Sequence, residues 1–200
     1  MSLLAGLPYR HFKCIHSDVP WRFESYSEEG EERSAQAHYE CMDLASVARL
    51  GVEAHAAEDC HLFFWVTGPF LSIGAHLPIM RSWGFEPVAM AFVWVKLNAS
   101  WHPRWMTHID NAMWFMGLGH TTRQNAEYVI LGRKGKPQRL SKSVKQIIAA
   151  PVREHSRKPA DVYERIERYC DGPYLDLFGR ERRAGWEVRG NEAGKFDKAV

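Results

Sequence analysis

The sequence predicts an α/β fold in which a single sheet carries helices on both faces. Short apolar runs bounded by turn residues alternate along the chain with segments whose apolar residues recur at helical spacing, and this alternation is typical of such sheets. The chain has 200 residues, of which 46% are hydrophobic. Because that is enough for one sizeable core and too little for two, we predict a single domain over residues 1–200.

Each element follows from a local pattern. Runs rich in β-branched and aromatic residues predict strands at 12–16, 61–66, 88–95, 128–131, 174–178 and 186–188. Helical spacing predicts three helices: one capped by Asp43, one from Phe70 to about Ser82 that Pro78 interrupts, and one that begins at Pro159. Residues 98–126 have no regular period and are interpreted as a functional loop, whereas residues 193–200 are expected to fray.

Charge is distributed unevenly along the chain. Residues 1–120 contain 8 Lys/Arg and 13 Asp/Glu, whereas residues 121–200 contain 18 and 11. A basic C-terminal part suits a polyanion such as nucleic acid, because Lys and Arg release the counterions condensed on phosphates. A solvated surface has the same composition, so charge alone leaves both interpretations open.

The same survey argues against several other classes of protein. No apolar stretch is long enough to cross a membrane, and the N-terminus lacks the basic-then-apolar order of a secretory signal. The four cysteines form no C-x-x-C pair, and the histidines of 98–126 form no close pair that would hold a metal. We therefore expect a soluble, cytoplasmic protein without a disulfide framework or a metal site.

The tetrapeptide Asp18-Val19-Pro20-Trp21 directly follows the first predicted strand, where an open α/β sheet binds its ligands. A carboxylate and a backbone carbonyl in a turn stiffened by proline would accept the hydrogens of an amine as positive charge develops on its nitrogen. Trp21 would offer a flat face to a base. Asp and Pro are also common in ordinary turns, so the tetrapeptide by itself does not distinguish a catalytic loop from a turn.

Seven segments, in one order, resemble the MT-A70 family of adenine-N6 methyltransferases, which includes the enzyme that methylates adenosine in mRNA. They are SDVPW (17–21), HYECMDL (38–44), LFFWVTG (62–68), FVWVKLN (92–98), GLGH with EYVILGRKGKP (117–120 and 127–137), REHSRKPADVYERIERY (153–169) and YLDLFGRERRAGWEVRGNE (174–192). The resemblance extends from about Phe12 to Glu192. It implies a Rossmann-like class I methyltransferase sheet in permuted order, with the catalytic strand near the N-terminus and the cofactor strand near the C-terminus.

The resemblance also implies a catalytic loop. The carboxylate of Asp18 and the backbone after it, at Val19 and Pro20, would hold the adenine amine, with Trp21 beside the base. The family usually has proline where this chain has Val19. Because that position is expected to act through its main-chain carbonyl, Val19 would keep the contact at some loss of rigidity.

The implied cofactor is S-adenosylmethionine. The matching positions are Ser156, Arg157, Lys158, Asp176, Phe178, Gly179, Arg180, Asn191 and Glu192. Of these, Lys158 is expected to attract the methionine carboxylate, together with the amides of the helix that Pro159 begins. Arg157 replaces a histidine that is frequent in relatives, and Glu192 replaces a glutamine that binds the ribose. The family's loop upstream of the catalytic strand has no clear match in residues 1–10.

The substrate is expected to lie against the irregular segment. Trp101, Trp105, His120 and Arg123 would contact a base or the backbone, because aromatic rings and Arg stack on flipped or single-stranded bases. Trp65 and Trp94 lie in apolar strands and are expected to be core residues instead.

The sequence therefore predicts methyl transfer from S-adenosylmethionine to adenine N6 in nucleic acid. DNA is favoured over RNA, as for phage or bacterial modification enzymes, because the chain shows no recognisable zinc finger or target-recognition domain. One alternative is a cytosine-N4 methyltransferase, whose catalytic loop is similar. Another is a non-catalytic, nucleic-acid-binding partner subunit of the same family. A homodimer or a partner subunit is compatible with all three.

Overall fold

The computed structural model describes residues 3–21, 42–100, 113–119, 121–154 and 156–197. All strands of this part of the chain belong to one sheet. They are β1 (Phe12–Ser17), β2 (Ala56–Thr67), β3 (Glu86–Leu97), β4 (Ala126–Lys134), β5 (Ile147–Pro151), β6 (Tyr174–Leu177) and β7 (Trp186–Arg189). The helices are α1 (Leu44–Ala48), α2 (Gly68–Ser72), α3 (His76–Ser82) and α4 (Asp161–Tyr169), with a 3-10 turn at Val52–Ala54.

The strand order is β5-β3-β4-β2-β1-β6-β7. β1 pairs in parallel with β2 and β6, β6 with β7, and β3 with β5, whereas β4 is antiparallel to both of its neighbours. This mixed sheet confirms the Rossmann-like α/β prediction. It also confirms the permuted order, because the N-terminal strand β1 lies directly beside the C-terminal strand β6.

Two cores lie on opposite faces of the sheet. Successive residues of β2 alternate between them, so Phe64 packs in one core while Phe63 and Trp65 pack in the other. The first core takes its helical contribution from α1 and α3, through residues such as Val47 and Ile79. The second core is covered by α4, whose buried residues Val162 and Ile166 are spaced by one helical turn.

Several local predictions are confirmed and others need correction. Asp43 caps α1 as expected, since its Oδ1 accepts a hydrogen bond of 2.9 Å from the backbone N–H of Ser46. The predicted helix 70–82 is two helices, and the break is at Gly74, with a φ of 69°, rather than at Pro78. Pro78 lies in the first turn of α3, where the missing N–H has no helical partner to lose.

Further corrections concern the ends of elements. α4 begins at Asp161, so the segment 156–159 precedes the helix instead of forming its first turn. β6 ends at Leu177, and Phe178 leaves the sheet with a φ of 64°. Edge strand β5 was not predicted, because it is short and follows a segment rich in Lys and Ser. Fraying of residues 193–200 stays a prediction; in the described part of this segment, Phe196 donates its backbone N–H to the carbonyl of Arg180 at 3.0 Å.

None of the helices in the described ranges combines the length and apolar character that crossing a membrane requires.

Candidate active site

Two neighbouring parallel strands deliver the candidate residues to one edge of the sheet. Ser17 of β1 is paired with Leu177 of β6, and the backbone N–H of Asp18 donates to the carbonyl of Leu177 at 3.3 Å. Asp18 and Phe178 therefore leave the sheet side by side. A pocket opens there, lined by His16, Asp18, Ser156, Arg157, Lys158, Tyr163, Asp176, Phe178, Gly179, Arg180, Glu181 and Phe196.

The chain turns sharply where β6 ends. Phe178 adopts a left-handed conformation, and its N–H donates to the carbonyl of Arg189 at 2.5 Å. A Cβ atom at Gly179 would lie 2.3 Å from Oδ2 of Asp176. Only glycine fits there, so this residue allows the turn to pass close to the Asp176 carboxylate.

Lys158 lies at the centre of a cluster of buried charges. Its ammonium is 2.9 Å from Oδ2 of Asp18 and 2.9 Å from Oε2 of Glu127, while Lys96 contacts Oε1 of Glu127 at 2.5 Å. The side chains of Lys158, Asp18 and Glu127 are only 10%, 18% and 13% exposed. The same ammonium lies 5.1 Å from the centre of the Trp65 ring, within the range of a cation–π contact.

The charges in this cluster fix one another's protonation states. Burial by itself would lower the pKa of Lys158, but Asp18 and Glu127 outweigh it and raise the pKa above its ordinary range. Burial would raise the pKa of Glu127, yet Lys158 and Lys96 lower it to about 2. Lys158 and Glu127 are therefore both charged at neutral pH.

A second buried network lies beneath the pocket. His16 is 1% exposed, and its Nδ1 is 2.7 Å from Oδ1 of Asp176 while its Nε2 is 2.7 Å from the indole nitrogen of Trp65. Because an indole N–H can only donate, Nε2 is the acceptor and Nδ1 carries the hydrogen. Oδ2 of Asp176 accepts from the hydroxyl of Tyr163 at 2.8 Å. Both oxygens of Asp176 are thus bound by protein groups.

Arg157 lines the pocket and forms ion pairs with two carboxylates. Its guanidinium lies 2.9 Å from Glu181 and 3.1 Å from Glu154, and 5.1 Å from the centre of the Phe196 ring. Burial would lower the pKa of Arg157, but the hydrogen bonds that it donates to these two carboxylates raise it. Phe196 near the C-terminus therefore contacts Arg157, a predicted cofactor residue, through a cation–π contact.

The structure brings most of the predicted cofactor residues together with Asp18. Seven of the nine line the same pocket, namely Ser156, Arg157, Lys158, Asp176, Phe178, Gly179 and Arg180. The other two lie outside it. Asn191 is exposed in a turn, and Glu192 forms ion pairs with Arg180 at 3.2 Å and Lys195 at 2.5 Å.

The rest of the catalytic tetrapeptide is arranged differently from Asp18. Val19 and Trp21 are 2% and 4% exposed and belong to a core, where Trp21 stacks on Phe70 with ring centres 4.5 Å apart. The carbonyl of Val19 accepts from the N–H of Trp21 at 2.9 Å, and that of Pro20 from the N–H of Met42 at 3.1 Å. Each carbonyl has a second lone pair, so one further hydrogen bond remains possible at both.

Among the predicted substrate residues, Arg123 is the one within the described part of the chain, and it does not line the pocket. Arg123 is exposed and contacts the carbonyl of Gly119 at 3.5 Å. Trp101, Trp105 and His120 lie outside the described residues. Trp65 and Trp94 are buried, which confirms that they are core residues, although Trp65 also contacts both His16 and Lys158.

Sequence reasoning missed three side chains that support the site. Glu127 and Tyr163 lie in segments that resemble the family and His16 lies in a predicted strand, but the sequence does not identify any of them as a site residue. The sequence does contain a signal for them, because each is a charged or polar residue within an otherwise apolar strand or helix face. Such a residue is buried only when it has a partner, so its position indicates a buried polar contact. The partner itself could not be read from the sequence.

The side chains around this pocket match the charges of the methionine end of S-adenosylmethionine. That end has a carboxylate, an ammonium and a sulfonium. Arg157, Lys158 and Arg180 offer positive charge, whereas Asp18 and Glu181 offer negative charge. These side chains therefore fit S-adenosylmethionine. The protein's cations suit the carboxylate of the cofactor, and the protein's carboxylates suit its ammonium and sulfonium.

The network beneath the pocket predicts a stability effect for Tyr163→Phe. This change removes the hydroxyl that donates to the buried Asp176 carboxylate, and a hydrogen bond to a charged group contributes about 1.5–3 kcal/mol. We expect the free energy of unfolding in urea to fall by about 2 kcal/mol. Tyr174→Phe is the matched control, since its hydroxyl donates to the neutral carbonyl of Cys170 at 2.8 Å and should cost about 1 kcal/mol. A smaller loss for Tyr163→Phe than for the control would contradict this assignment.

The lowered pKa of Glu127 predicts an acid-sensitive contribution to stability. A carboxylate whose pKa falls from 4.5 to about 2 on folding stabilises the protein above pH 4.5, and this contribution, about 3 kcal/mol, is lost as the pH falls toward 2. Glu127→Gln should therefore unfold more easily at pH 7, and its stability should decline less on acidification. Urea unfolding from pH 6 to pH 3 measures both. Glu86→Gln, which breaks a surface pair with Arg81, should follow the wild-type profile. Parallel profiles for Glu127→Gln and the wild type would refute the argument.

Comparison with known proteins gives a consistent result. A profile of the family described as MT-A70 matches residues 12–192. The Type II methyltransferase M.MunI of a Mycoplasma species is 30% identical over 206 aligned residues, which cover 93% of this chain and 79% of that protein. The human N(6)-adenosine-methyltransferase catalytic subunit METTL3 is 31% identical over 185 residues, covering 90% of this chain and 28% of METTL3. A Drosophila melanogaster N(6)-adenosine-methyltransferase MT-A70-like protein is 28% identical, with 27% of its length covered. The chain thus spans most of the Mycoplasma protein and less than a third of the two animal proteins.

Proposed function

The chain belongs to the MT-A70 family of S-adenosylmethionine-dependent N6-adenine methyltransferases, and we propose that it methylates adenine N6 in DNA at the pocket beside Asp18. The observation that carries this proposal is the shared pocket. Asp18 of the predicted catalytic loop lines the same pocket as seven predicted cofactor residues. Those seven residues lie about 140 positions or more after Asp18 in the chain. This proximity supports a mechanism in which Asp18 would accept a hydrogen of the amine next to the bound methyl donor.

Asp18 is proposed to act on the amine of the base. Lys158 lies 2.9 Å from Oδ2 of Asp18, so Oδ1 is the oxygen that this ion pair does not engage. Oδ1 is therefore the oxygen proposed to accept a hydrogen of the adenine amine as the nitrogen becomes positive, and to take the proton that the nitrogen loses. The backbone carbonyls of Val19 and Pro20, each with a lone pair left, are proposed to accept the second amine hydrogen.

When bound, S-adenosylmethionine supplies an electrophilic methyl group on a sulfonium that leaves as a neutral thioether. Lys158 and Arg180 are proposed to hold its carboxylate, with Arg157 and Glu181 at the opening of the pocket. Lys158 then has two functions, because it also fixes the orientation of Asp18 and balances its charge. Asp176, which His16 and Tyr163 hold in place, is proposed to support the turn at Phe178 and Gly179 and to face the cofactor with its remaining lone pairs.

The preference for DNA rests on the similarity to the Type II methyltransferase M.MunI, which is 30% identical over 93% of this chain. Type II methyltransferases modify DNA, so this similarity supports a DNA target. The phage or bacterial type of modification enzyme is accordingly the proposed class.

The test offers the purified protein equal amounts of DNA and RNA of the same base sequence, together with S-adenosylmethionine. The products are digested to nucleosides and identified by mass spectrometry. The proposal predicts N6-methyldeoxyadenosine in excess of N6-methyladenosine. N6-methyladenosine alone would overturn the DNA assignment, and N4-methyldeoxycytidine alone would overturn the adenine assignment.

A further inference from the structure

A basic groove lies away from the pocket, at the opposite end of β2 and α4. It is lined by His61, Arg133, Lys136, Gln138, Arg139 and Tyr169, with Glu86 at one side. We propose that this groove binds the sugar-phosphate backbone of the nucleic acid at a distance from the target base. The inference rests on the proposed function and names a second contact for the same substrate.

The cations of the groove are available to a ligand. Within the described ranges, Arg133, Lys136 and Arg139 form no ion pair, whereas the nearby Glu86 is paired with Arg81 at 3.3 Å. The segment 128–153 contains seven Lys/Arg and no Asp/Glu. Three cations and one carboxylate, that of Glu86, line the groove, and this positive excess favours a polyanion because each phosphate contact releases condensed counterions.

The groove is held in a fixed shape. β4 ends at Lys134, and Gly135 turns the chain with a φ of 65°, where a Cβ atom would lie 2.2 Å from Oδ1 of Asp59. The same Asp59 oxygen accepts the backbone N–H of Lys136 at 2.7 Å. At the other end of the segment, Leu140 donates its N–H to the carbonyl of Tyr169 at 2.7 Å.

These bonds attach the segment 136–140 to both the sheet and the end of α4. A ligand would therefore meet cations whose backbone is already ordered, which lowers the entropic cost of binding. Gln138 and Tyr169 add neutral polar groups of the kind that commonly contact phosphate oxygens.

The position of the groove suits a backbone contact and not the methylated base. Lys158 precedes α4 and Tyr169 ends it, so the two sites are separated by the length of that helix. Nine residues at 1.5 Å per residue span about 13 Å, which equals about four base steps of a duplex at 3.4 Å each. A separation of this size is shorter than a duplex of about ten base pairs.

The test compares two double variants with equal loss of charge. Lys136→Gln/Arg139→Gln removes cations of the groove. Lys142→Gln/Lys145→Gln removes exposed cations from the same basic segment that do not line it. Fluorescence anisotropy gives the Kd for an adenine-containing DNA duplex at several salt concentrations, and calorimetry gives the affinity for S-adenosylmethionine.

The groove variant should bind the duplex about tenfold or more weakly at 0.1 M salt, with a log–log salt slope smaller by about 2, since each phosphate contact contributes about 0.9. Its affinity for S-adenosylmethionine should match the wild type, and the control variant should bind the duplex nearly as well as the wild type. Equal weakening of both variants would show a general charge effect and overturn the inference, as would an unchanged Kd and slope for the groove variant. Methylation of the duplex by the wild-type protein is measured in a separate assay. A wild type that does not methylate would contradict the proposed function, whereas the binding measurements alone test the inference about the groove.

Discussion

Asp18→Asn is expected to lower kcat for methyl transfer by about a thousandfold while the affinity for S-adenosylmethionine changes little. The substitution keeps the shape of the side chain but removes the negative oxygen that would face the adenine amine as charge develops on it. Loss of one such electrostatic contact costs about a hundredfold to a thousandfold in kcat. Lys158 retains Glu127 as a partner at 2.9 Å, so the cluster does not lose all of its negative charge.

Single-turnover transfer measures the chemical step, and calorimetric titration measures cofactor binding. Asp43→Asn is the matched control, because Asp43 caps α1 in an exposed position and asparagine caps helices equally well. The control should retain wild-type transfer. Parallel losses of kcat and cofactor affinity in Asp18→Asn would contradict a catalytic role that is separate from binding.

Lys158→Met is expected to lower the free energy of unfolding by about 3–5 kcal/mol and to weaken binding of S-adenosylmethionine. The change leaves the carboxylates of Asp18 and Glu127 without the ammonium that lies 2.9 Å from both. Removing one partner from a buried ion pair is costly because it leaves uncompensated buried charge. Urea unfolding measures the first effect and calorimetry the second.

Lys195→Met tests whether any lysine in an ion pair would behave in the same way. Lys195 pairs with Glu192 and its side chain is 41% exposed, so its loss should cost less than about 1 kcal/mol. Adding Glu127→Gln to Lys158→Met should recover part of the lost stability, since it returns the net charge of the cluster, which includes Lys96, to zero. Equal losses for Lys158→Met and Lys195→Met, or no recovery in the double variant, would contradict the proposed charge cluster.

The elements that deliver Asp18 and Asp176 could be predicted because strands are read locally. Buried apolar runs identify β1 and β6, and parallel strands end at the same edge of a sheet. The register of the two strands then places Asp18 beside Phe178. That much of the site follows from the sequence together with the permuted order that the family resemblance implies.

The partners of Lys158 could not be predicted, because they depend on sheet topology. Glu127 is near the beginning of β4, whereas Asp18 follows the end of β1. They meet only because β4 runs antiparallel to β2, which brings its first residues to the edge where β1 and β2 end. A charge at residue 127 is visible in the sequence, but strand direction is not.

The orientation of Trp21 shows a similar limit. A tetrapeptide pattern does not specify which face of a turn points toward the pocket. The ring of Trp21 lies between Phe64 and Phe70 in a core, while Asp18 three residues earlier lines the pocket. Likewise the cations of 128–153 can be counted from the sequence, but their assembly into a groove depends on the turn at Gly135 and the end of α4.

The most direct test of the central claim uses S-adenosylmethionine with a deuterated methyl group, DNA, and either the wild-type protein or Asp18→Asn. Mass spectrometry of the nucleosides follows the labelled methyl group. We predict labelled N6-methyldeoxyadenosine from the wild type and almost none from Asp18→Asn, although both proteins bind the cofactor. Equal labelling of N6-methyldeoxyadenosine by both proteins would contradict the claim that the pocket beside Asp18 performs the transfer.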